Sequence, residues 1–148
     1  MKRLLRLAAA ALLLAATALT TGCAVNRATA TVDPTARLDA VKTMHVKPTD
    51  PAEPATGQLI ADNLRKRGYQ VSVGPQPPAN VDVVVTYVDK WMWDLSMYML
   101  ELTVQIRDPK SDYTLASGHS LHTSLTRKSP PEMVDEVVGN IMKEGKTR

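Results

Sequence analysis

Two histidines three residues apart, His119 and His122, have a type and spacing that could do chemistry. On a helix, His-x-x-His puts both imidazoles on one side, where they could share a metal ion. The residues around them read as a strand, however, and on a strand positions three apart point to opposite faces. The pair is therefore expected to hold no metal. Ser117-Gly118-His119-Ser120 sets hydroxyls beside an imidazole, but it has no nucleophile-elbow pattern and no acid placed to orient a histidine. Asp89 and Asp94 bracket Trp91-Met92-Trp93 as carboxylates at strand ends commonly do, capping or solvating them. No glycine-rich phosphate loop is present. Arg127 and Lys128 form a small basic step that reads as loop solvation. The expectation is a chain that is not an enzyme and uses no cofactor.

The remaining reactive side chain is the thiol of Cys23, the one cysteine in 148 residues. Lys2, Arg3 and Arg6 form a basic head, Leu7 to Leu19 is an unbroken run of Leu, Ala and Thr, and Thr20-Thr21-Gly22 leads into the cysteine. Basic head, apolar run and small-residue site are the layout of a secretory signal peptide. The run is shorter than the roughly 20 apolar residues that span a bilayer. Because the site ends in Gly-Cys, residues 1–23 resemble the lipobox signal of bacterial lipoproteins, with Thr20 standing where that family prefers Leu. The resemblance implies that the thiol of Cys23 receives a diacylglycerol, that cleavage removes residues 1–22, and that the new amino group is acylated. Ala24 follows the cysteine in place of the Asp that retains such proteins in the inner membrane. The implied location is the outer membrane, with the domain facing the periplasm. A plain secretory signal cut near Ala18 is the competing reading.

Lys2, Arg3 and Arg6 supply the whole formal charge of +3, so the chain after Cys23 is formally neutral, and no case for nucleic-acid binding survives. With its cysteine at the anchor, the domain has no internal disulfide and depends on its core. Residues 23–36 are small and polar and read as a lipidated flexible tether. Residues 37–148 read as a single α/β domain.

Within it, alternation over Leu38 to Lys47 predicts a strand, closed by Pro48, Pro51 and Pro54. Leu59, Ile60 and Leu64 at helical spacing predict a helix over 55–67, with Gly68 as its C-cap. Strands are predicted over 69–73, 81–93, 97–107 and 113–125, the last with Leu115, Leu121 and Leu125 facing inward. Ser129-Pro-Pro-Glu132 reads as a capping box ahead of an amphipathic helix carrying Met133, Val134, Val137, Val138, Ile141 and Met142. The predicted fold is α+β in two layers. A mixed, mostly antiparallel sheet of about five strands carries two helices on one face, in the order β-α-β-β-β-β-α.

One stretch is unexplained by this plan. Both tryptophans and three methionines fall within Trp91 to Met99. Trp91 reads as core. Met92, Met97 and Met99 alternate with the apolar series that should face the helices. With Trp93 at the strand end, they are expected to form an exposed apolar patch that meets a protein partner or a second copy. In anchor and order of elements the chain is similar to small α/β accessory lipoproteins of the cell envelope. That similarity implies a non-catalytic, membrane-anchored binding subunit of an envelope complex. The alternatives are a periplasmic carrier of a small apolar ligand or lipid, and an envelope hydrolase.

Overall fold

The computed structural model of the chain describes residues 26–50 and 55–147. The signal segment, Cys23 and the head of the tether lie outside the described residues. Six strands and two α-helices follow in order: β1 (Asn26–Val32), β2 (Thr43–Val46), α1 (Ala55–Lys66), β3 (Gln70–Val73), β4 (Val83–Asp94), β5 (Ser96–Arg107), β6 (Thr114–His122) and α2 (Pro130–Lys146). They form one sheet in the order β1-β6-β5-β4-β2-β3. Strand β2 runs parallel to both β3 and β4, and the other pairings are antiparallel. The fold is α+β, as the sequence pattern implies. Among the described residues, no helix is long and apolar enough to cross a membrane.

Two local signals act as read, at Gly68 and at Ser129–Glu132, and the structure adds a third at Asp82. Gly68 has φ of 97°, a left-handed C-cap conformation that a side chain would strain. The Glu132 carboxylate accepts the Ser129 backbone N–H at 2.8 Å at the start of α2. Asp82 accepts the backbone N–H groups of Lys42 (2.9 Å) and Thr43 (2.8 Å), fixing the entry of β2 against β4. One core unites Met44 and Val46 of β2, Val83, Val85 and Tyr87 of β4 and Leu102, Val104 and Ile106 of β5. Against them pack Ile60 and Leu64 of α1 and Met133, Val134, Val137, Val138 and Ile141 of α2. The two helices also touch one another.

Four expectations are overturned. Residues 26–32 are not part of a flexible tether: they form edge strand β1, paired with β6 from Asn26 opposite His122 to Val32 opposite Ala116. Their polar, small side chains hide a strand held mostly by its backbone. Leu38–Ala40 is a turn of 3-10 helix, and β2 begins only at Thr43. On β6 the inward face is Ala116, Gly118, Ser120 and His122, while Leu115 and Leu121 lie on the other face and Leu125 is exposed beyond the strand. The reason is the closeness of α2: a Cβ on Gly118 would lie 2.8 Å from Ile141 Cγ1 and 2.9 Å from Val137 Cγ1. No side chain fits at Gly118, whereas farther along the strand His122 is accommodated by its hydrogen bond to Glu136 of α2. The fourth correction concerns the hairpin and belongs with the site.

Candidate functional site: the β4–β5 hairpin

Strands β4 and β5 are the longest in the sheet, and they outrun their neighbours. Strand β2 pairs only with Val83 to Val85, and β6 stops pairing with β5 at Glu101 opposite Leu121. From Trp91 to Leu100 the hairpin continues as a two-stranded ribbon. At its root the register shifts: Lys90 faces Glu101, but Trp91 faces Met99, leaving Leu100 as an extra residue on β5. Such a bulge exchanges which side chains point to which face. Met99 therefore replaces Leu100 on the helix side and is fully buried in the core, and it is not part of the exposed patch expected of it.

The rest of the ribbon is uncovered. Trp91 and Met92 are each 45% exposed, Met97 59%, Trp93 70% and Leu95, at the apex, 93%. Trp91 is thus surface, not core, although its indole N–H donates to Asp89 at 2.9 Å. Cross-strand pairs set Trp93 beside Met97 and Met92 beside Tyr98. Since side chains alternate faces, Trp91, Trp93 and Met97 lie on one side and Met92 on the other. The apex is braced from the segment before α2. Arg127 lies 4.6 Å over the Tyr98 ring, donates to Ser96 Oγ at 2.9 Å and sits 3.7 Å from the Asp94 carboxylate. Ser124 donates to that same carboxylate.

The polar residues singled out for chemistry are engaged with one another. His119 lies on the open face of the sheet, 2.9 Å from Glu101, whose other oxygen accepts Lys90 at 2.7 Å. Those two hydrogen bonds lower the Glu101 pKa. His122 is buried on the helix face, where Nε2 donates to Glu136 at 2.7 Å. The two imidazoles thus point to opposite faces. Ser120 Oγ and Lys128 Nζ also donate to Glu136. Burial is the largest single influence on this carboxyl and pushes its pKa up. The hydrogen bonds from Lys128, Ser120 and His122 together outweigh it and bring the value to about 2. Ser, Glu and His meet here, but the carboxylate stands between the other two. The imidazole has no path to the Ser120 proton, and the hydroxyl is buried. The open face also carries a shallow groove of about 310 Å³, lined by Thr86, Val88, Lys90, Glu101, Thr103 and Gln105.

No protein-family model matches the chain, and no curated protein matches its sequence. Solved structures do resemble it. The PelC dodecamer from Paraburkholderia phytofirmans, crystallised as a point variant, superposes at a TM-score of 0.56 with 16% identity, covering 82% of this chain and 97% of the PelC chain. A second crystal form of PelC gives 0.55 and 14%, covering 84% and 99%. A weaker likeness, at 0.38 and 14% over 72% of this chain and 92% of the other, is to a minor lipoprotein from Acinetobacter baumannii. At such identities the likeness to PelC is one of fold: this chain has the sheet-and-helix arrangement of the PelC subunit over nearly the whole of that subunit.

Proposed function

We propose that this chain is a non-catalytic accessory subunit of a cell-envelope protein complex, held to the outer membrane by lipid on Cys23 with its domain in the periplasm. The observation that carries the reading is the direction of the chain at the sheet's end. Strand β1 starts at Asn26, opposite His122, at the end of the sheet from which the β4–β5 ribbon projects. The first residue of β1 and the exposed apolar ribbon therefore lie at the same end of the sheet. The other surfaces offer contacts to protein. Strands β1 and β3 are the two edges of the sheet, and edge strands present unpaired backbone groups to a further strand. A second copy is the partner this reading puts first, and the dodecameric state of PelC supports it. The polar clusters support a non-catalytic role, because each histidine that could act is engaged with a structural carboxylate.

The test is made in cells on the full chain. Cys23→Ala should abolish incorporation of labelled fatty acid and leave a larger, uncleaved precursor out of the outer-membrane fraction. Two differently tagged wild-type copies should co-purify from solubilised membranes. Unchanged mobility and fractionation of the variant would overturn the anchor. Failure of the tagged copies to co-purify, with no stoichiometric envelope protein in their place, would overturn the accessory role.

A further inference from the structure

We propose that the end of the β4–β5 ribbon, with Trp91, Trp93, Leu95 and Met97, dips into the same lipid surface on which Cys23 holds the chain. The inference rests on the lipid-anchored reading above and adds a second, side-chain contact with the bilayer.

The first argument is reach. Arg27, Leu121, Glu101 and Lys90 form one row across β1, β6, β5 and β4. Beyond that row the apex at Leu95 lies five residues along β4, or about 17 Å at the usual strand rise. Cys23 lies four residues before Arg27, so even a fully extended backbone carries it only about 14 Å past the same row. With the strands set along the membrane normal, the apex thus comes level with the lipidated residue however far the connecting residues stretch. Any slack in them drives the apex deeper.

The second argument is the distribution of apolar side chains. Here Trp91, Trp93 and Met97 are exposed on one side of the ribbon and Leu95 at the apex, while the other side sets Met92 beside Asp94 and Ser96. A ribbon apolar along one side and at its tip, with polar groups behind, suits a boundary between hydrocarbon and water. Tryptophans are the residues favoured where hydrocarbon meets headgroups. Arg127, braced beside the apex through Ser96 and Tyr98, puts a guanidinium at headgroup depth.

The third is the backbone at the apex. Leu95 has φ of 58°. Gly, Asn or Asp is the ordinary choice for a left-handed turn position. A leucine there, almost wholly exposed, is placed against local preference and gains nothing from the rest of the domain. Its side chain serves something outside the chain.

The experiment uses the chain's only two tryptophans, both on the ribbon. The lipidated full chain is reconstituted in vesicles of phosphatidylethanolamine and phosphatidylglycerol, with and without brominated acyl chains. Brominated lipid should quench the indole emission several-fold, and acrylamide quenching should drop relative to detergent solution. Leu95→Asn, which suits the backbone better, should keep the melting temperature and the lipid label but weaken the bromolipid quenching. Emission that stays open to acrylamide and unaffected by bromine, in protein that carries the lipid label, would overturn the insertion while leaving the anchor standing. Indoles shielded from acrylamide but untouched by bromolipid would also overturn it, and would assign the ribbon to a second copy. Protein without the lipid label would instead overturn the reading on which this one rests.

Discussion

The two halves of the β4–β5 hairpin are both rich in apolar side chains and live in opposite surroundings. In the basal half, Val83, Val85, Tyr87, Leu102, Val104 and Ile106 are buried under α1 and α2. In the distal half Trp91, Met92, Trp93 and Met97 are open to solvent, although their side chains are as apolar. What separates the halves is the extent of the cover. Strand β2 stops pairing at Val85 and β6 at the Lys90–Glu101 row, and the hairpin runs on beyond both. Apolar character in a sequence thus reports that a side chain is taken out of water somewhere. The neighbouring elements decide whether the domain itself does it.

The largest expected effect comes from spoiling the cover. Val138 of α2 is 1% exposed within the core, and Val138→Asp would bury a charge without a partner. Such changes destabilise by about 4 kcal/mol or more, a large share of the stability of a domain this size. Thermal denaturation followed by circular dichroism should show the transition lost or far below wild type. A wild-type melt would mean that α2 does not cover the basal half. Next comes the boundary itself, where Met99 and Met97 sit two positions apart on β5, on opposite sides of the line. Met99→Ala should lower stability by about 2–5 kcal/mol, whereas Met97→Ala should stay within about 0.5 kcal/mol. Urea titrations of the two single variants measure the contrast directly, and equal losses would erase the distinction between the halves.

Between those two effects lies a contrast of the same kind on β6, where His122–Glu136 is covered by α2 and His119–Glu101 is not. Glu136 titrates near 2 in the folded chain against an ordinary value of 4.5. A carboxyl with a depressed folded value contributes stability that is present above its unfolded value and lost as pH falls toward the folded one. Stability should therefore decline between about pH 4.5 and 2 in part because Glu136 must be protonated. Glu136→Gln should flatten that decline and, at neutral pH, lose about 1.5–3 kcal/mol of charge-assisted hydrogen bonding. Glu101→Gln, on the open face, should lose less. Melting curves of both variants across this pH range would decide it.

The helices and the paired core of β4 and β5 were legible in the sequence because their periodicity is imposed by burial along one face. Three features were not, each for a local physical reason. Strand β1 carries Asn26, Arg27, Thr29 and Thr31, and its pairing is written in backbone groups that have no side-chain signature. The inward face of β6 carries Ala116, Gly118, Ser120 and His122, with α2 too close at Gly118 for any side chain. A reading that follows the large apolar residues picks the opposite face. The single-residue bulge at Leu100 turned Met99 inward, and nothing in the alternation of Met97 to Leu102 announces it. The tip was legible as a cluster of Trp and Met, but its exposure on both faces depends on where the neighbouring strands stop.

The pairing of β1 with β6 also sets a timetable. Asn26 is among the first residues of the domain in sequence, yet its partner, His122, comes only just before the final helix. Strand β1 can find its place only after the chain through β6 is available to pair with it. Until then the hairpin and the first helix can organise through near neighbours, while residues 26–32 wait with their amide groups bonded only to water. Loop closure over so long a separation is slow. The interval is one in which another strand, from a chaperone or a sister copy, could take the seat beside β6 first.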